Sequence, residues 1–93
     1  MSFLFEYDPA KAASNLKKHG VTFAEAITVF NDPLASTLPD DQHSTDEIRF
    51  ISVGMSSKRR ILFVVYTETI SGIRLIGARP ATAAEIRQYE EVS

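Results

Sequence analysis

At 93 residues and 44% hydrophobic content, the chain has the size of a single domain, residues 1–93, with a small core, because short chains bury a lower fraction of their surface. The absence of cysteine excludes disulfides and thiolate metal sites, and a formal charge of −2 argues against a general nucleic-acid binder, whose affinity scales with the cations it supplies. The longest apolar run, residues 61–66, falls far short of the roughly 20 needed to span a bilayer; with no secretory pattern at residues 1–8, a cytoplasmic protein without membrane contact is expected.

Residues 3–7 are aromatic-rich and alternate weakly, as a short strand does. Asp8 then offers an N-cap carboxylate and Pro9 a natural first helical residue, so a helix is predicted over residues 9–19, ended by Gly20. Its apolar stripe is Ala12, Ala13 and Leu16, and its last turn carries Lys17, Lys18 and His19, which suit the negative end of the helix dipole. Thr22 and Glu25 have capping-box spacing and start a second helix over residues 23–30, in which Ala26, Ile27 and Phe30 face a sheet. Asn31, Asp32 and Pro33 end it, and an extended edge segment near residues 35–38 precedes a polar loop.

From residue 47 the period becomes extended, with strands predicted at 47–54, 60–67 and 72–79 joined by short connections. Unbroken alternation in the last strand puts Ile73, Leu75, Gly77 and Arg79 on one face and Arg74, Ile76 and Ala78 on the other. Thr82 and Glu85 repeat the capping-box spacing and open a closing helix to about residue 91, where Ile86 and Tyr89 share a side. The expected class is α+β: a short N-terminal strand, two helices, an antiparallel meander of three to four strands and a C-terminal helix.

No motif supplies a complete active site. His19 and His43 form no short ligand pair, and the acidic loop of Asp40, Asp41, His43, Asp46 and Glu47 reads more simply as solvated than as a cation site. Gly20, Gly54, Gly72 and Gly77 stand alone, so no phosphate-binding glycine loop exists, and no metal or cofactor is expected. What remains is cationic. Arg79 closes a strand just before a capped helix, a junction suited to gripping phosphate; with Arg49, Arg60 and Arg74 it can stabilise a charged phosphorane, while His19 or His43 has the titration range for proton transfer. Lys17, Lys18, Lys58, Arg59, Arg60, Arg74 and Arg79 are candidates for one basic face. Each candidate also has a plain structural reading: Arg79 bonding Glu85 or helix carbonyls, Arg49 on a solvent face, His43 in an exposed loop, His19 as a helix-end charge, and Tyr66 and Tyr89 at the core edge with hydroxyls outward.

Taken together, Phe5 to Lys11, Asn15 to Phe23, Ala26 to Phe30, Asp32-Pro33, His43-Ser44, Arg49-Phe50, Gly54, Ile76-Gly-Ala-Arg79, Ala81-Thr82, Glu85 and Gln88-Tyr-Glu90 resemble the BrnT family of toxins, in order along nearly the whole chain. The resemblance implies a small RelE-like fold and a cytoplasmic toxin of a type II toxin–antitoxin system that cleaves RNA without a metal and inhibits translation. It also implies a BrnA-type DNA-binding antitoxin as partner, through which operator DNA is reached indirectly. Carried over by position, it points to His43, Arg49, Arg79 and His19 as catalytic and to Lys18 and Tyr89 as RNA contacts; Arg60 and Arg74 are added as RNA contacts on their charge alone. Tyr7 stands where tryptophan is usual in that family, Gly77 where serine is common, and Pro80, Ala84 and Ile86 where basic residues are frequent, which implies weaker RNA affinity. The alternative function is a non-catalytic binding module or co-repressor acting only through an antitoxin-like partner.

Overall fold

The computed structural model describes residues 4–41 and 47–92. Among them, in chain order, are β1 (Leu4–Glu6), α1 (Pro9–His19), α2 (Phe23–Ile27), a 3-10 turn (Thr28–Asn31), β2 (Ser36–Pro39), β3 (Arg49–Met55), β4 (Ile61–Glu68), β5 (Gly72–Pro80) and α3 (Ala83–Val92). The strands form one sheet in the order β1-β5-β4-β3-β2. β2 to β5 are the expected antiparallel meander, and β1 joins in parallel beside the first residues of β5. The α+β class and the helix–meander–helix order hold.

Local chemistry sets most boundaries as anticipated. The Asp8 carboxylate accepts from the Ala10 amide at 2.9 Å, Pro9 opens α1, and Gly20 ends it in the left-handed region at φ 70°, its N–H donating to the Leu16 carbonyl. The second helix is shorter than its spacing predicts. After Ile27 it tightens into the 3-10 turn, where the Thr28 hydroxyl donates to the Glu25 carbonyl at 2.6 Å and accepts from the Ser57 amide at 2.8 Å. The inner stripe of α1 also differs from the prediction: Ala13 and Leu16 are exposed, and Ala12 with buried Asn15 faces inward.

Asn15 compensates for the shortness of β1, which pairs with β5 only as far as Arg74. Beyond that point the Asn15 side-chain amide donates to the Ala78 carbonyl at 2.8 Å and accepts from the Ala78 N–H at 3.1 Å, doing for one residue what a neighbouring strand would do. The same amide nitrogen reaches the Val21 carbonyl at 3.0 Å and so ties the α1–α2 link to the sheet.

The core lies between α1, α2 and one face of the sheet. Val21, Phe23, Ala26 and Val29 meet Leu62, Val64, Tyr66, Ile73, Leu75 and Ala78 there. Phe30 packs edge-on against Tyr66 with centroids 5.0 Å apart, and each large side chain fully buried contributes about 1.5–3 kcal/mol. Gly54 admits the 3-10 turn at close range: a Cβ there would lie 2.7 Å from Ala35 Cβ and 3.0 Å from Val29 Cγ1.

One irregularity decides which residues face away from this core. On β4, Val65 pairs with Gly77 but Tyr66 pairs with Leu75, so Ile76 is an extra residue in β5 and forms a bulge. The bulge resets the alternation. Ile73, Leu75 and Ala78 all point into the core, whereas Ile76, Gly77 and Arg79 share the opposite face. Unbroken alternation, as predicted from the sequence, would have turned Arg79 inward beside Leu75 and left Ala78 outside.

Candidate functional site

The face opposite the core is only partly covered. α3 crosses it on the β2–β3 side, where Glu85, Gln88 and Tyr89 line an apolar groove of about 290 Å³ with Ser36, Leu38, Ile51, Val53 and Phe63. Tyr89 pins the helix. It is buried, and its hydroxyl donates to Asp32 Oδ2 at 2.6 Å, so it is neither outward-facing nor turned toward the uncovered sheet. Hydrogen bonding to Asp32 pushes the Tyr89 phenol up to about 12. Burial pulls the Asp32 carboxyl upward, but bonds from the Met55 amide, Tyr89 and the Leu34 amide outweigh it and leave it below the ordinary value.

Beside that groove lies an open depression of about 440 Å³, lined by Asp40, Arg49, Ile51, Phe63, Val65, Ile76, Gly77 and Arg79. Arg49 comes from the first residue of β3 and Arg79 from the far end of β5, with β4 between them. Its floor is apolar: Ile51, Val65 and Phe63. Two guanidinium groups over an apolar floor form an anion-attracting surface whose field is screened less than that of solvated cations.

Each arginine is held differently. Arg79 lies over its cross-strand partner Phe63, with Cζ 3.9 Å from the ring centroid. Its Nη1 and Nη2 donate to Glu85 Oε1 and Oε2 at 2.9 and 3.0 Å, and Nη1 also donates to the Pro80 carbonyl at 3.1 Å. Glu85 meanwhile completes the second capping box: its Oε1 accepts from the Thr82 amide at 2.8 Å and its own amide donates to Thr82 Oγ1 at 3.2 Å. Arg79, opposed by burial and reinforced by Thr82, holds the Glu85 carboxyl below the usual range, so it is an anion at neutral pH. Arg49 Nε is 3.9 Å from Glu47 Oε1. Glu47 also takes two bonds from Arg74 Nη2, at 2.7 and 2.6 Å, and so sits between two cations at the outer end of the same face.

The other expected site residues are placed elsewhere. Arg60 is on the helical side, where its Nε and Nη2 grip the Glu25 carboxylate at 2.8 and 2.6 Å and Nη2 also donates to the Gly20 carbonyl. Glu25 does not reach back to Thr22 as the capping-box spacing suggests. It is buried, also accepts from Ser56 Oγ at 2.7 Å, and is held near 2, chiefly by the Arg60 hydrogen bond. The Nε and Nη2 groups of Arg60 are therefore engaged in internal structure. Lys18 and His19 are exposed in the last turn of α1, the helix that packs on the core face, and neither lines the depression. His43 lies outside the described residues. Among those described, no three His, Asp or Glu side chains are grouped to hold a metal ion.

Four contributors escaped the sequence reading. Phe63 and Val65 read only as interior residues of an apolar strand, Asp40 as part of a solvated loop, and Glu85 as a cap and as a bland partner for Arg79. The signal for Phe63 was present: with β4 and β5 joined by a short turn, counting outward pairs it with Arg79 once the bulge is included.

The sequence profile of a family described as the ribonuclease toxin BrnT of type II toxin–antitoxin systems matches residues 7–85. No match was found among curated proteins. Among solved structures, the fold is similar to the Brucella abortus ribonuclease toxin BrnT, with a TM-score of 0.67 and 23% identity over 87% of this chain and 99% of that one. The profile spans most of the chain, including Arg49, Arg79 and Glu85, and the chain belongs to the BrnT family of type II toxin–antitoxin ribonuclease toxins.

Proposed function

We propose that this chain is an endoribonuclease that cleaves RNA without a metal and thereby inhibits translation. A BrnA-type DNA-binding antitoxin restrains it by covering the depression and carries it to operator DNA. The observation that supports this reading is the convergence of Arg49 and Arg79, distant in sequence, on one open depression with an apolar floor.

The chemistry needs little more than charge and proton transfer. The ribose 2′-hydroxyl is an internal nucleophile: its oxygen attacks the adjacent phosphorus, the 5′-oxygen of the next nucleotide leaves, and a 2′,3′-cyclic phosphate remains. The 2′-hydroxyl loses a proton to a base and the leaving oxygen gains one from an acid. In this reading Arg49 and Arg79 stabilise the charge that builds on the non-bridging oxygens. His43 or His19 is the proton-transfer group in this reading; His19 ends a helix on the other side of the sheet. The action is assigned to the cytoplasm, where translated RNA is found; no described helix is long and apolar enough to cross a membrane.

The purified chain, freed of partner and assayed in EDTA, is expected to cut RNA. Arg79→Ala and Arg49→Ala each lower kcat by about 100-fold, in line with losing one preorganised donor to a developing oxyanion. A wild-type rate for Arg79→Ala sinks the reading. One observation favours the non-catalytic alternative, a module that only binds an antitoxin-like partner: Arg79 already meets a carboxylate on two of its nitrogens. Under that alternative, expressing the native and Arg79→Ala chains without partner leaves growth equal.

A further inference from the structure

The pairing that occupies Arg79 also determines which part of it remains available. A guanidinium has five N–H bonds in a fixed plane. Two of them, one on Nη1 and one on Nη2, form the end edge and meet Glu85; the second Nη1 hydrogen meets the Pro80 carbonyl. The two that remain, Nε–H and the second Nη2–H, lie side by side on the lateral edge. Among the described residues nothing accepts a hydrogen bond from either. Phe63 lies against one flat face at 3.9 Å, so the plane can neither flip nor swing without losing the ring and the carboxylate together.

We propose that Glu85 is a positioning residue for RNA cleavage: it holds Arg79 by the end edge so that the lateral Nε–Nη2 edge is presented to a phosphate in the depression. This rests on the reading of Arg79 as a phosphate clamp. Lateral and end edges are both bidentate donors, so one arginine can hold a carboxylate and a phosphate at once. Restricting a long side chain before the substrate arrives removes an ordering cost from the reaction. Glu85 performs this while its Oε1 caps α3 through the Thr82 amide, which fixes the carboxylate itself. The sequence Arg79-Pro80-Ala81-Thr82-Ala83-Ala84-Glu85 therefore acts as a unit, in which a strand end delivers the cation and a helix start delivers its anchor. If Glu85 instead competed with phosphate as a built-in inhibitor, removing its charge would have the opposite effect on cleavage.

The test is single-turnover and steady-state cleavage of a short RNA by the purified, partner-free chain, comparing Glu85→Gln, Thr82→Ala, Arg79→Ala and the Glu85→Gln/Arg79→Ala double variant. Glutamine keeps an oxygen for the Thr82 amide but cannot offer two acceptors to Arg79; Thr82→Ala weakens the same helix start without touching Arg79. The expected result is a fall in kcat of about tenfold or more for Glu85→Gln with a smaller change in KM, near-native cleavage by Thr82→Ala, and no further loss in the double variant relative to Arg79→Ala. Faster cleavage by Glu85→Gln overturns the proposal in favour of an inhibitory latch. Equal losses in Glu85→Gln and Thr82→Ala overturn it in favour of a purely structural cap. Undiminished cleavage by Arg79→Ala has a different signature and removes the clamp reading itself.

Discussion

At the scale of single residues, the burial of the carboxylate partner separates the cation that builds the protein from those that face outward. Glu25 has a side chain only 2% exposed, and Arg60 is its main counter-charge. Its carboxyl, ordinarily near 4.5, is held at about 2. Because the folded value is depressed, the pair stabilises the fold fully above pH 4.5 and loses that contribution as pH falls toward 2. Arg60→Met leaves a buried carboxylate unpaired and is expected to cost about 2 kcal/mol at pH 7, discounted because the arginine is partly solvated. The gap from wild type, measured by urea unfolding, is predicted to close as pH is lowered through that window; a gap independent of pH contradicts the assignment. The sequence carried Glu25 as a capping residue and Arg60 as an RNA contact, because spacing along the chain cannot reveal that a side chain 35 positions away is its partner. Arg49 and Arg79 were legible as candidates, but their shared depression was not.

At the scale of elements, the strands and helix starts were readable because each rests on nearest-neighbour chemistry: Asp8-Pro9, Gly20, Thr22 and Thr82 act within one turn. The inward stripe of α1 was misread because Asn15 is polar, and hydrophobic periodicity has no means of registering a residue buried to satisfy backbone groups. Asn15→Leu is expected to leave the Ala78 N–H and two carbonyls without partners and to destabilise the fold by about 3 kcal/mol, read as a fall in the denaturant midpoint; an unchanged midpoint contradicts its role as a strand substitute. The bulge at Ile76 was passed over although Gly77, an isolated glycine inside a strand, is a local signal for one, and it alone sends Arg79 to the face of Arg49 while keeping Ala78 in the core. Element identity was thus local and legible, whereas facing depended on one inserted residue and on pairing across the sheet.

At the scale of the whole molecule, the seven cations that the sequence offered as one basic face are divided. Arg60 grips Glu25 on the helical side, Lys17 and Lys18 end α1, and Arg74 and Arg79 look out from the opposite side of the sheet, each against a carboxylate. With a formal charge of −2, such a surface cannot hold RNA by diffuse attraction and must rely on a few fixed contacts. If Arg49 and Arg79 are the main phosphate contacts, the logarithm of RNA affinity falls against the logarithm of salt with a slope of about −1.5, whereas seven contacts would give about −5. A steep slope would mean that the flanking lysines dominate and that the depression is not the binding site. The central claim is tested most directly by the product of RNA treated with the partner-free chain in EDTA, beside Arg49→Ala and Arg79→Ala. Cleavage that leaves 2′,3′-cyclic phosphate ends and nearly vanishes in both variants is the predicted result; no cleavage by the native chain, or equal cleavage by all three proteins, contradicts it.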